Sequence, residues 1–492
     1  MKCLLRFKWF TLSFLLLTVS ISQAKDGPQS SAKTYSLSLK ETTQLALKNN
    51  FDIQLAKYDA WIMQTEKNKA VSLYDTLLSA EVKYQDNQRK QTTTIFGTKA
   101  VDNNYSVGAS KKLPSGTTIN IDMNNSRSVT NSIFSTSSVT HDSTLGVTVT
   151  QDLGKNFFGL KDRGQIKVTL LDIENTEYTS LDKIEKIIAE IQKSYWDLLL
   201  ENEQVKITQD MVMQAKHLYD LHQEKLKDGL LEKPEAIASE ANYKKRQDEL
   251  TLVQNKLAEK NNALKLLLNI TNNDLVIKPS ENFKIIEKKE ILTKSLKKAF
   301  INRRDYKKTK NTIKAKKITL RLKKNNTWPE INLTATLERN GLGDHFKQAV
   351  TQITEEDNPN LMAGLKITFP LENKKAKAEL KAAELSKAKE ILAIKLLERQ
   401  ITIQIMDQVR NCNTYLSLAK SSQEIADLQT QKLEEEEKRF NQGRSDTDTL
   451  IRFQEDLARA RSDAASSKHR YHTALVDLKQ KSGVLLKRDK GL

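Results

Sequence analysis

The sequence predicts a mainly α-helical chain that also carries membrane β-strands and is written as two tandem repeats. Three observations support this. First, hydrophobic residues are only 38% and charged residues 29%, with seven prolines and fifteen glycines in 492 residues. That composition suits long, water-exposed helices with a narrow apolar stripe rather than several globular cores. Second, short segments alternate apolar and polar at every second position and run directly into helical composition. In LMAGLKITF, Leu361, Ala363, Leu365, Ile367 and Phe369 are the apolar members, and after Pro370 the chain turns Lys-, Glu- and Ala-rich. Third, the chain aligns weakly with itself in order: Ala46–Asp52 on Ala299–Asp305, LLSAEVKY on EINLTATL, VTQDL on ITFPL, and KDGLLEKPEA on NQGRSDTDTL.

Taken in order, residues 1–24 read as a secretory signal peptide: Lys2, Arg6 and Lys8 precede the apolar run Trp9–Ile21, and Ser22-Gln23-Ala24 supplies small residues for cleavage. Export bears on the formal charge of +18. Outside the cytoplasm a basic excess argues against nucleic acid as a partner and fits solvated helix faces, with anionic lipid headgroups as the sharper alternative. Cys3 lies in the signal, so Cys412 stands alone and no disulfide framework is expected.

After an extension (25–37), repeat 1 (38–275) opens with the capping box Ser38-x-x-Glu41. Strands are expected near 77–86 and 144–153 and long helices near 160–268, broken at Gly229. The seam Ile184, Ile188, Ile191, Tyr195, Leu198, Asn202, Val205 is coiled-coil-like. Between the strands lie an added hairpin candidate (104–123, turning at Pro-Ser-Gly) and a polar, mobile stretch (124–143). A linker (276–287) leads to repeat 2 (288–486), with strands near 330–338 and 361–369, a polar loop between them, and long helices near 373–483 broken at Gly443. A tail (487–492) ends the chain.

Such strands fit a membrane barrel, with Leu, Ala, Val and Tyr towards lipid and Glu81, Lys83 and Lys366 towards water in the lumen. One chain offers too few strands for closure, and open edges are not tolerated in lipid, so the barrel must be completed by other subunits.

The layout resembles that of TolC-type outer-membrane efflux proteins over nearly the whole mature chain. The matching motifs are LSLKETTQLALKNN, SYWDLLLENEQ, AFINRRD with the later NNTWPEINL, TFPLENKKAKAEL and KRFNQGRSDTDTLIRFQEDLARAR. The resemblance implies a homotrimer: a β-barrel to which each subunit gives four strands, continued by a long periplasmic α-helical barrel. The added hairpin departs from the four-strand pattern and is a candidate to extend outside the membrane.

It also implies a passive exit duct of a tripartite efflux or type I secretion system. The partners would be a periplasmic adaptor, an inner-membrane pump or ABC transporter, and outer-membrane lipid. Trp328-Pro329 and Phe369-Pro370 would mark the periplasmic membrane edge, where aromatic residues sit well. Gly229-Leu230 and Gly443-Arg444 would form the tip turns that dock the adaptor. The family's gate positions fall on Thr449 and Arg452, with Glu235, Asp446 and Asp448 as the nearby acids, and its tip-locking network maps to Glu235, Phe440 and Ser445. No catalytic set, cofactor or metal site is expected; His469-x-x-His472 reads as solvated polar helix. The rival from another class is a soluble periplasmic coiled-coil adaptor or scaffold.

Overall fold

A computed structural model describes residues 34–90, 95, 100–135, 137–272, 274–285 and 287–486. The expected signal peptide (1–24), most of the extension after it and the tail (487–492) lie outside the described residues.

The chain begins with strand β1 (Thr34–Leu37), then α1 (Leu39–Asn49) and α2 (Phe51–Val71). The capping box closes as expected: the Glu41 backbone N–H donates to Ser38 Oγ at 3.3 Å, and Ser38 N–H donates to the Glu41 carboxylate at 2.9 Å. Asn50 breaks the helix with ψ 127°, and its side chain caps α2 by accepting from Ile53 N–H at 2.9 Å. Strands β2 (Thr76–Asn87), β3 (Ala100–Lys112), β4 (Thr117–Thr130) and β5 (Val139–Asp152) follow, then α3 (Leu160–Lys227), α4 (Lys233–Leu268) and β6 (Val276–Pro279).

The second half repeats the plan with α5 (Leu292–Asn302), α6 (Arg304–Asn325), β7 (Glu330–Gly343), α7 (Phe346–Glu355), β8 (Pro359–Thr368), α8 (Lys374–Asn441) and α9 (Thr447–Lys481). Arg303 breaks this half with ψ 125°, as Asn50 breaks the first. At 68 residues each, α3 and α8 are about 100 Å long. No described helix is long and apolar enough to cross a membrane.

Four expectations need correction. The hairpin at 104–123 and the stretch 124–143 contribute strands β3, β4 and the start of β5, so among the described residues the antiparallel sheet has six strands in the order β2-β3-β4-β5-β7-β8. Its Pro-Ser-Gly turn sits at the helical end of the sheet, where Gly116 (φ +76°) packs against Gly159 and Gly159 against the Pro114 carbonyl. The stretch 339–360 is not a plain loop: β7 runs on to Gly343 and α7 packs back over it, its Ala349 carbonyl against Gly341, where any side chain would collide. The linker stretch contains β6, which pairs in parallel with β1 (Leu37↔Pro279). Finally, His469 is only partly exposed and His472 is buried, and both rings are engaged. His469 Nε2 meets Asp197 Oδ1 at 2.6 Å, and His472 stacks on Trp196 at 3.9 Å between ring centroids.

The helices form one layer: α2, α3, α6, α8 side by side beneath the sheet, and α4, α3, α9, α8 further down. On one side of this layer, α1, α5 and the β1–β6 pair make a girdle. The seam Ile184, Ile188, Ile191, Tyr195, Leu198, Val205 is buried, largely under this girdle. Tyr195 Oη donates to the Leu37 carbonyl at 3.0 Å, and Asn261 Nδ2 to Ile277 O at 2.9 Å. Cys412 sits in the matching cluster with Ile401, Ile405 and Val409, where burial pushes its thiol up to about 12.

Where the two halves meet, the buried Glu185 carboxylate accepts from Arg304 and from the Leu485 backbone N–H at 2.7 Å.

His472 gives the girdle a pH dependence. Burial pushes its imidazole down to about 4, and its Nε2–H donates to Lys284 O at 3.0 Å. The unfolded chain takes up a proton that the fold excludes, so this stabilisation is complete above about pH 6.5 and is lost as pH falls towards 4. The full effect is roughly 3 kcal/mol. Thermal melts of wild type are expected to drop across that window, and His472→Phe is expected to flatten the drop.

Candidate functional site

The sheet separates two chemistries by its pleat. Across the register, Leu78, Ala109, Ile121, Val147, Leu337 and Leu361 share one row, and Ala80, Val107, Met123 and Leu145 the next, which ends in Arg339 and Pro359. The opposite face is mainly polar: Glu81, Ser106, Asn124, Thr144 and Asn340 make one row, and Ser110, Asn120, Thr148 and Thr336 the inner part of another that ends in Leu77 and Met362 on the edge strands. Within the latter, Ser110 Oγ donates to Asn120 Oδ1 at 2.6 Å and Thr148 meets Thr336 at 3.1 Å. Through these rows the apolar face continues across the added hairpin, so the middle of β3 and β4 obeys the same two-sided pattern as the four strands expected from the sequence; further from the helices the face turns polar at Asn125, Ser143 and Arg127, where α7 packs on it at Gly341. Glu81, Lys83 and Lys366 fall on the polar face, as the alternation requires.

Both ends of this sheet are open. Every residue of β8, and all of β2 but Asn87, is exposed. The helix layer is open at the corresponding helices, each with an apolar stripe bared. On α2 it is Phe51, Leu55, Tyr58 and Ile62 (62%, 57%, 55% and 66% exposed); on α8 it is Leu385, Leu392, Leu396 and Ile403. The 4-3-4 spacing on α2 was visible in the sequence as a second apolar face, beside the one that buries Ile53 and Ala56 against α3.

Trp328-Pro329 and Phe369-Pro370 stand where strand meets helix, at the same end of the sheet. Trp328 is 59% and Phe369 46% exposed. Asn373 (φ 47°) ties these two junctions, donating from Nδ2 to Thr327 O at 2.9 Å. In the first half Asn156 takes the part of a joint without proline. Its Oδ1 accepts from Lys161 N–H at 2.9 Å at the start of α3, and its Nδ2 donates to Asp152 and Asp162, both at 2.7 Å.

At the far end, Gly229 (φ +68°) and Gly443 (φ +69°) close α3 and α8 with the same motif. Leu230 N–H returns to Lys225 O at 2.8 Å and Arg444 N–H to Arg439 O at 2.9 Å, so positive φ at the glycine is what satisfies the last carbonyls. Leu230 is 76% exposed at the apex.

Among the gate candidates, Asp446 caps α9, accepting from Thr449 N–H at 2.8 Å and Thr449 Oγ1 at 3.0 Å; these bonds hold its carboxyl below the usual range. Glu235 and Asp448 lie exposed in the first turns of α4 and α9, where the helix dipole favours them. Arg452 lies over Phe453. Ser445 bonds Glu436, a buried carboxylate also met by Arg439 at 3.3 Å. Glu436 was hidden in the acid run LEEEEKR, which reads as exposed surface from sequence alone. Phe440 leans on the buried His222.

No protein-family model and no curated protein matches the chain. Among solved structures, the open-state MtrE outer membrane channel of Neisseria gonorrhoeae superposes with a TM-score of 0.66 at 15% identity, over 95% of this chain and 96% of that one. The fold is that of an outer-membrane channel. The CmeC outer membrane channel of Campylobacter jejuni agrees (TM-score 0.64, 14% identity, 92% and 86% covered), as does CusC (0.66, 13%, 90% and 92%). At these identities the likeness is one of fold, and the channel fold matches the TolC-type architecture expected from the motifs.

Proposed function

We propose that the protein is a passive exit duct of the Gram-negative outer membrane, acting as a homotrimer. The observation that carries this is the six-stranded sheet, mainly apolar on one face and mainly polar on the other, with both edges unpaired among the described residues. Unpaired edges cannot persist in hydrocarbon. Pairing β8 of one copy with β2 of the next satisfies them, and the same arrangement brings the bare stripes of α8 and α2 together. Three copies of six strands make a barrel of eighteen, a size at which porins keep an aqueous channel.

In this reading the apolar rows face lipid, Trp328 and Phe369 lie at the periplasmic interface, and α3 and α8 build the tunnel wall. The turns Gly229-Leu230 and Gly443-Arg444 dock a periplasmic adaptor. Through it the duct serves an inner-membrane pump or ABC transporter that exports small compounds or polypeptides. The likeness in fold to the CmeC and MtrE outer membrane channels favours this over a soluble adaptor.

Fractionation tests the reading: Sarkosyl-insoluble recovery as heat-modifiable trimers supports it, and release with the periplasmic contents contradicts it. We assign the gate to Glu235, Asp448 and the Asp446–Thr449 cap, with Arg452 beside them. Asp448→Asn should alter the cation/anion preference of conductance in planar bilayers, and an unchanged preference would remove it from the gate.

A further inference from the structure

Helix α6 carries ten basic residues and one acid, whereas α2, its counterpart in the first half, carries three of each. The charge is also sorted by face. Arg304, Thr312, Leu322 and Asn325 are turned to α3, meeting Glu185, Asn175, Gly164 and the Lys155 carbonyl. Tyr306 and Lys323 are turned to α8, meeting Glu398 at 2.9 Å and Glu379 at 2.8 Å. What remains on one side is Lys307, Lys310, Lys314, Lys317, Arg321 and Lys324, spaced 3-4-3-4-3, with no neutral or acidic member. The side opposite holds Asp305, Thr319 and Asn326.

The α2 residues at the same places are Gln54, Lys57, Trp61, Gln64, Asn68 and Val71, so a helix in this wall does not need the stripe. Lys317, Arg321 and Lys324 have no carboxylate partner among the described residues. Lys310 Nζ rests 4.2 Å above the Tyr306 ring, whose edge meets Phe300 of α5 at 5.4 Å. The stripe therefore leaves the layer on the side of the girdle. If the duct is open, as the proposed function has it, that side is the outside of the tunnel.

We propose that this stripe binds the carboxylate-bearing stem peptides of the peptidoglycan layer where the tunnel passes through it. The inference rests on the exit-duct reading. From Lys307 to Lys324 the stripe is about 25 Å long and runs along the wall, away from the membrane edge at Trp328. A bilayer surface reaches only its top: the Debye length of about 8 Å covers Lys324 and little beyond Arg321. A polyanion lying alongside the tunnel meets all six cations, and three copies would repeat the contact around the axis.

The test is co-sedimentation of the detergent-solubilised full-length protein with purified peptidoglycan sacculi. Wild type should sediment at low salt and be released at high salt. K310Q/K314Q/K317Q/R321Q should lower the bound fraction by roughly tenfold, while K57Q/K67Q/K69Q on α2 should bind as wild type does. Absence of wild-type binding, or equal loss in both variants, would overturn the proposal. So would binding to phosphatidylglycerol vesicles, but not sacculi, through the same four residues. Heat-modifiable trimers and planar-bilayer conductance are measured on the same preparations. A protein that forms neither overturns the exit-duct reading instead, whereas a conducting trimer that ignores sacculi overturns only this inference.

Discussion

Val107→Arg and Ile121→Arg are each expected to deplete the assembled protein from the outer membrane, whereas Ser106→Arg and Asn120→Arg are expected to leave it. Val107 and Ile121 belong to the added hairpin and share rows with Ala80, Leu78 and Val147 on the apolar face; Ser106 and Asn120 are their neighbours on the polar face. An arginine facing lipid near the bilayer midplane costs about 2–4 kcal/mol, while one facing a water-filled lumen is tolerated. Heat-modifiable trimer recovered from outer membranes reads the difference. If all four variants assemble alike, β3 and β4 are not lipid-facing. A hairpin standing outside the membrane would behave that way.

The second large effect is expected at the junction of the two halves. Arg304→Met leaves Glu185 buried among α3, α6 and the Leu485–Leu486 stretch, with the Leu485 and Leu486 N–H groups as its remaining partners among the described residues. Burial already pushes the Glu185 carboxyl up, against the pull of Arg304. Removing one member of a buried pair costs about 3–5 kcal/mol, whereas replacing both with apolar side chains of similar volume is often near neutral. Arg304→Met should therefore melt well below wild type, and Glu185→Met/Arg304→Met should recover most of the loss. A double variant no better than the single would mean that the pair is not what holds this joint.

Much of this architecture was legible in the sequence because its periods are long and unambiguous. The seam from Ile184 to Val205, the alternation of Leu361–Phe369 and the glycines at 229 and 443 each specify local structure almost unaided. What was missed depended on partners far along the chain. NYSVGASKKLPSGTTINIDM alternates visibly, but nothing local says that its hairpin inserts between β2 and β5 rather than standing outside the sheet. The polar stretch after it lacks apolar signal because its residues pair as strand ends. Glu436 and His472 looked solvated because burial of a polar helical residue depends on which helix lies opposite. The α6 stripe lay unseen inside a generally lysine-rich composition, and appears only when contacts with α3 and α8 remove the other faces.

The most direct test of the central claim is an electron cryo-microscopy map of the detergent-extracted particle. A trimer closing a single barrel of eighteen strands, β8 of each copy paired with β2 of the next, above a wall of α2, α3, α6 and α8 from each, is the predicted result. A monomer, or a trimer whose barrel has twelve strands with β3 and β4 outside it, would contradict the account.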